Sequence, residues 1–164
     1  MDPVDLPPIV SRSSFARAVQ LALEHAADER VRELCFVDPD FADWPLSEPA
    51  VLAALTRWVG PKRHLLMVAH SFDGLAQARG QARFVAWRRT WAHLMSCQAA
   101  PELGRAEIPS LLLGSPQASL QRLESSSSRG RWLTSEDDCG AWREVVDAVL
   151  QRSEDAFPAH TLGL

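Results

Sequence analysis

Two short apolar runs, Leu34-Cys35-Phe36-Val37 and Leu65-Leu66-Met67-Val68-Ala69, constrain this chain more than any other feature. Both are too short for a helix and neither is broken by a polar residue, so each reads as a strand buried on both faces. Between them lies a well-punctuated helix. Ser47 is placed to cap it, Glu48 and Pro49 suit its first turn, and Gly60-Pro61 ends it. Val51, Leu52, Leu55, Trp58 and Val59 form its apolar stripe. Strand, helix and strand in that order require a right-handed crossover and a parallel pair.

The rest of the chain extends this unit. Residues 1–12 read as an extended arm. Ser13 or Ser14 caps a first helix running to about Glu29, with Phe15, Val19, Ala22, Leu23 and Ala26 on one side. A long helical stretch spans roughly Phe72 to Met95, with Gly74 and Gly80 as weak points. At about 100° per residue, Phe84, Trp87, Trp91, Leu94 and Met95 share one side of it, flanked by Arg88. Residues 96–100 suit a short strand, and Ser110-Leu111-Leu112-Leu113 suits one better. Gly114-Ser115-Pro116-Gln117 signals a turn, after which Ser119 to Leu123 returns as an antiparallel partner. Trp132-Leu133 is one more brief strand. A last helix starts at Ser135 with Asp138 in a capping-box-like pair, and buries Trp142, Val145, Val146, Val149 and Leu150. The predicted fold is therefore α/β, with a mixed, mostly parallel sheet and helices on both faces. It forms one domain over residues 13–157, followed by an irregular tail at 158–164.

Composition narrows the function classes. The chain has 164 residues and a net charge of −4, which argues against a globally basic nucleic-acid binder while leaving a local basic face open. No apolar run approaches the roughly eighteen residues a membrane-spanning helix needs, so no membrane partner is expected. Met1 to Pro8 is acidic and Pro-rich, without the basic start and apolar core of a secretory signal. The three cysteines, Cys35, Cys97 and Cys139, form no C-x-x-C pair, so no structural metal and no cofactor are expected. Free thiols in a cytoplasmic setting are the expectation.

Three features carry candidate chemistry. The first is Asp38-Pro39-Asp40, directly after the first strand. It resembles the opening Asp-x-Asp of haloacid-dehalogenase-like phosphatases, in which the first Asp is a nucleophile, the second an acid/base, and both lie near Mg²⁺. Phe41 and Ala42 depart from that pattern, and Lys62 stands ahead of the second strand where a downstream lysine is needed. Asp137-Asp138 imitate the late acidic pair but are suited to a helix start. The plain alternative is that Asp38 and Asp40 shape a turn.

The second feature is Ala69-His70-Ser71-Phe72-Asp73-Gly74. It resembles a Gly-x-Ser-x-Gly nucleophile elbow, with Ala69 for the first Gly and Asp73 for the second. The alternative is that Ser71 caps a helix with Asp73 in its first turn. Both features lie at the carboxyl end of a parallel strand, where open α/β sheets place ligands. Asp38, Asp40, His70, Ser71 and Asp73 are therefore expected to converge as a ligand site. The third feature is the acid-free stretch Gly74–Pro101, which holds Arg79, Arg83, Arg88 and Arg89 beside Trp87, Trp91 and His93. Arg83, Arg88, Arg89 and His93 are candidates for binding an anion or a partner. The alternative is an amphipathic helix with its tryptophans in the core and its arginines in water. The spacing of His93 and Cys97 suits metal ligands, but a pair alone is weak.

From Phe15 to Phe157 the element order resembles one half of a phospholipase D-like domain. The segments Arg83–His93 and Ala156–Leu164 also resemble a group of uncharacterised bacterial proteins. The phospholipase D signature is His-x-Lys with an Asp a few residues on, in which a His is the nucleophile and the Lys binds phosphate. The resemblance puts it in the hairpin Pro109–Leu123, which holds no His, Lys or Asp, so no catalytic residue carries over. The resemblance also implies a two-fold homodimer. The expectation is thus a non-catalytic cytoplasmic domain acting through protein or ligand binding. The alternatives are a Mg²⁺-dependent phosphohydrolase using Asp38 and Asp40, and a phosphate or nucleic-acid binder through the Arg-rich helix 79–95. Nucleic acid is not the expected partner.

Overall fold

A computed structural model describes residues 6–158 of the chain. Both apolar runs form strands, β1 (Glu33–Val37) and β2 (His64–Ala69), parallel and in register from Glu33 opposite His64 to Val37 opposite Val68. The crossover between them is helix α2 (Pro49–Trp58), which packs beside the amino-terminal helix α1 (Arg12–Asp28). A second crossover leads to β3 (Met95–Ala99), again parallel to β2. The continuous helix expected across it is broken into α3 (Asp73–Gln77), a single 3-10 turn at Arg79–Gln81 and α4 (Ala82–Trp91). The break falls around Gly80, one of the two weak points of that stretch, since a glycine is costly to order inside a helix.

After β3, the strands β4, β5 and β6 are joined by short turns, and short turns force antiparallel pairing. β4 (Ser110–Leu113) lies antiparallel against β1, followed in a meander by β5 (Ser119–Arg122) and β6 (Gly130–Leu133). Helix α5 (Glu136–Leu150) then brings the chain to the opposite edge, where β7 (Glu154–Asp155) pairs antiparallel with β3. The strand order is β6-β5-β4-β1-β2-β3-β7. The sheet is mixed as expected, but its ladders are mostly antiparallel, with only β1/β2 and β2/β3 parallel. The expected parallel character holds for the crossover units and fails for the β4–β6 meander and for β7.

Strand alternation divides the core. Leu34, Phe36, Leu65, Met67, Cys97, Ala99, Leu112 and Leu120 face α1 to α4, while Cys35, Val37, Leu66, Val68, Leu111, Leu113 and Leu133 face α5. Helices therefore cover both faces. Trp44 fills the end of the first layer, 2% exposed, with its ring against Phe15, Phe36 and Phe41. The other tryptophan outside the predicted helices, Trp132, donates from Nε1 to the Pro7 carbonyl at 2.8 Å. That bond and a bridge between Ile9 and Gly130 tie the arm to the sheet edge. A Cβ at Gly130 would lie 2.6 Å from the Gln121 carbonyl and 3.2 Å from Ile9, so this close approach needs glycine.

Two caps differ from expectation. Helix α1 is capped by Ser11, which forms a reciprocal capping box with Ser14. Glu48, not Ser47, precedes α2, and Pro49 begins that helix without a side-chain cap. Ser47 instead accepts a hydrogen bond from the Phe84 amide at 3.0 Å, so it joins the helical layer to the loop after β1. Ser135 caps α5 as predicted, accepting from the Asp138 amide. Beyond α5, Glu154–Asp155 form β7 within the domain, while residues 1–5 of the arm and 159–164 of the tail lie outside the described residues.

Candidate functional site

The loops that follow β1, β2 and β3 gather at the carboxyl ends of the three parallel strands. Their backbones are joined there. The carbonyl of Pro39, just after β1, accepts from the amides of His70 (3.0 Å) and Ser71 (3.3 Å), just after β2, and the Ala100 amide donates to Ala69 at 2.9 Å. Despite these links, the five strand-end residues expected to converge divide between two concavities. Asp38 lines one, with Asp40 paired to Arg105 of its wall, and His70, Ser71 and Asp73 line the other.

The first cavity holds about 380 Å³, near the lower end of the range for small-molecule pockets. One wall is α4, which supplies Arg88 and Arg89. The loop after β2 and the first turn of α3 supply His70, Ser71, Phe72 and Asp73, and the end of the chain supplies Glu154 and Phe157. Ser71 Oγ accepts the Asp73 amide at 3.2 Å and so shapes the turn into α3. His70 Nδ1 is buried and has no hydrogen-bond partner among the described residues.

Arg88 is the unusual member. It is only 6% exposed, and its Nη2 donates to the carbonyl of Phe157 at 2.5 Å. Its Nε and Nη1 are buried without a partner among the described residues. The guanidinium lies over the Phe157 ring, 5.0 Å from its centroid. That ring is stacked on Phe72 (5.4 Å), and Phe72 on Phe41 (5.9 Å), so the cation caps an aromatic column running into the core. Cation–π attraction offsets part of the cost of burying the charge, but it supplies no acceptor for the N–H groups of those two nitrogens. The neighbouring Cys97 thiol supplies no counter-charge. Burial pushes its pKa up to about 11 in spite of the guanidinium, so it stays neutral.

Phe157 is held in place by backbone. β7 pairs Asp155 with Gln98 and Glu154 with Ala99, and the Ala156 amide donates to Cys97 O at 3.0 Å. Phe157 itself takes a φ of 50°, in the left-handed region that a bulky side chain disfavours. Backbone strain of this kind persists where surrounding contacts hold it, and here they are the ring stack and the bond to Arg88.

The second cavity, about 500 Å³, opens at the end of β1 and is lined by Asp38, Arg105, Ser110, Arg122 and Trp142 among others. Asp38 is fully buried and its carboxylate is well occupied. Oδ2 accepts the amides of Asp40 (3.1 Å) and Phe41 (2.8 Å), and Oδ1 accepts Arg122 Nη2 at 3.0 Å. Arg122 also rests over the Phe15 ring at 5.6 Å and comes within 3.8 Å of Asp43. Asp40 accepts the Ala42 amide and pairs with Arg105 at 2.6 Å. Burial would raise the Asp40 carboxyl, but the Ala42 amide and the arginines together hold it below its ordinary value. These two aspartates therefore have the hydrogen bonds of turn-shaping residues.

Comparison with protein-family models, with curated proteins and with solved structures finds no match.

Of the arginines in the Arg-rich stretch, only Arg88 and Arg89 line the first cavity. Arg83 and His93 are exposed and line neither concavity, and Trp87 and Trp91 are half-buried along the same helix. His93 is exposed while Cys97 is buried, and among the described residues no group of three or more His, Cys, Asp and Glu side chains is arranged to hold a metal ion. The burial of Arg88 had a signal in the sequence, since it stands four residues after Phe84 on the apolar side of the helix. Arg122 had one too, two residues after Leu120 on the same strand face. Phe157 and Glu154 had none, because a two-residue strand leaves no periodic trace.

Proposed function

We propose that the chain is a binding domain that holds a small anionic group, a phosphate or a carboxylate, on Arg88 in the cavity at the ends of β2 and β3. One observation carries this reading: Arg88, 6% exposed, lines a cavity, and among the described residues two of its guanidinium nitrogens have no partner and no carboxylate is bonded to it. Burying an unpaired charge costs several kcal/mol, roughly, even after relaxation, and an anion held beside the guanidinium would supply both the missing counter-charge and an acceptor for a free N–H. Arg89 in the same wall and the unpartnered Nδ1 of His70 support it. The cavity lies where ligands bind in open α/β sheets, outside the carboxyl ends of parallel strands. Because Arg88 is buried, it suits a small group that enters the cavity better than a nucleic-acid backbone lying across the surface.

Binding fits these residues better than turnover. Ser71 is engaged by the Asp73 amide, and no base is bonded to it among the described residues. The alternative of a Mg²⁺-dependent phosphohydrolase on Asp38 and Asp40 has less support, because both carboxylates are already committed to amides and arginines.

Calorimetric titration with inorganic phosphate tests the proposal. The expected result is saturable one-to-one binding, weakened at least about tenfold in Arg88→Met and unchanged in Arg83→Ala. Arg88→Lys keeps the charge but not the guanidinium, and is expected to fall between them. Absence of binding to the folded wild type, or equal binding by wild type and Arg88→Met, would overturn it.

A further inference from the structure

The cavity around Arg88 is bordered by four formal charges that do not pair with one another. Helix α4 supplies two cations, Arg88 and Arg89, while α3 and β7 supply two carboxylates, Asp73 and Glu154. Opposite charges sharing so small a space ordinarily close into ion pairs, and elsewhere in the chain Asp28, Glu33, Asp38, Asp40 and Asp147 all do. Among the described residues, neither Asp73 nor Glu154 has a side-chain partner of any kind, and neither joins Arg88 or Arg89. The cations and carboxylates thus line one cavity without pairing. Both carboxylates are exposed at its border, and Arg88 is buried within it.

We infer that the ligand is a small zwitterion, with an anionic group for Arg88 and a primary ammonium for Asp73 and Glu154. This rests on the anion reading above and adds to it a requirement for positive charge. A simple anion on Arg88 would share the cavity with two carboxylates, which is repulsive. A molecule with an ammonium at its other end turns that repulsion into charge-assisted hydrogen bonds. The border carboxylates then select by charge, admitting amine-bearing anions and disfavouring plain ones. A cavity of about 380 Å³ suits such a molecule, and Ala76, Val85 and Ala99 give an apolar lining for a short carbon chain between the two charges. An aminoalkyl phosphate and an amino acid share this chemistry and differ only in the anionic end.

Matched probe pairs test this in calorimetric titrations of the full chain. One pair is phosphoethanolamine and ethyl phosphate; the other is β-alanine and propanoate. The amine-bearing member of one pair is expected to bind at least about tenfold tighter than its partner, and the pair that responds identifies the anionic end. In the double variant Asp73→Asn, Glu154→Gln the preference should fall to near unity. Both residues are exposed, so folding is expected to survive, and circular dichroism checks it. Equal affinity within both pairs in the wild type would overturn the zwitterion while leaving the anion reading standing. If no member of either pair binds and inorganic phosphate also fails, both readings fall. A preference that persists in the double variant would also overturn it.

Discussion

Arg88 and Phe157, 69 residues apart in the chain, are joined twice: Nη2 donates to the Phe157 carbonyl, and the guanidinium lies 5.0 Å from the centroid of the Phe157 ring. The first contact needs only the backbone and the second needs the ring. Replacing Phe157 by Leu keeps the carbonyl and an apolar side chain but removes the stacking on Phe72 and the cation–π contact. The expected loss is roughly 1–2 kcal/mol of unfolding free energy, read from urea denaturation. An unchanged midpoint and slope would mean that the aromatic column carries no stability at this end.

The buried pair at the end of β1 makes a prediction of the opposite kind. Asp38 and Arg122 have side chains 1% and 5% exposed and meet at 3.0 Å. Removing one partner leaves the other buried and uncompensated, which costs about 3–5 kcal/mol, whereas removing both charges costs less than the sum. Asp38→Asn and Arg122→Met should each be strongly destabilising. The double variant should recover at least about 1 kcal/mol relative to additivity in a denaturation cycle. Simple additivity would show that the two charges are energetically independent.

Neighbouring Asp40 makes acid sensitivity readable. Its carboxyl titrates below its ordinary value in the folded chain, so the unfolded chain binds its proton first as the pH falls. The stability it contributes is therefore present above the ordinary carboxylate range and is lost as the pH drops through the folded value, below about pH 4. Asp40→Asn should be less stable than wild type at pH 7, and the gap should narrow at pH 3. A gap of the same size at both values would mean that the contribution does not come from the charge.

Much of the fold was legible because the apolar runs at Leu34–Val37 and Leu65–Ala69 are too short and too continuous to be anything but buried strands. The parallel β1/β2 pair, the hairpin at Gly114–Gln117 and the Ser135 cap follow from local chemistry in the same way. What was not legible depends on distance in the chain. The expected meeting of Asp38 and Asp40 with His70, Ser71 and Asp73 rested on topology alone, and topology places backbones without deciding where side chains turn. Pro39 does bond to His70 and Ser71, yet Asp38 is drawn to Arg122, 84 residues away. Likewise Arg88 is buried because Phe157 reaches it from the far end of the chain, which no local pattern announces.

The central claim is that an anion binds to Arg88 itself. The side-chain Nε–Hε resonance of that residue reports on it directly in a nitrogen–proton correlation spectrum, with assignment by Arg88→Lys. Titration with inorganic phosphate is expected to shift the Arg88 resonance saturably while that of exposed Arg83 stays in place. A spectrum in which Arg88 does not move, or moves only in step with the exposed arginines, would contradict the claim.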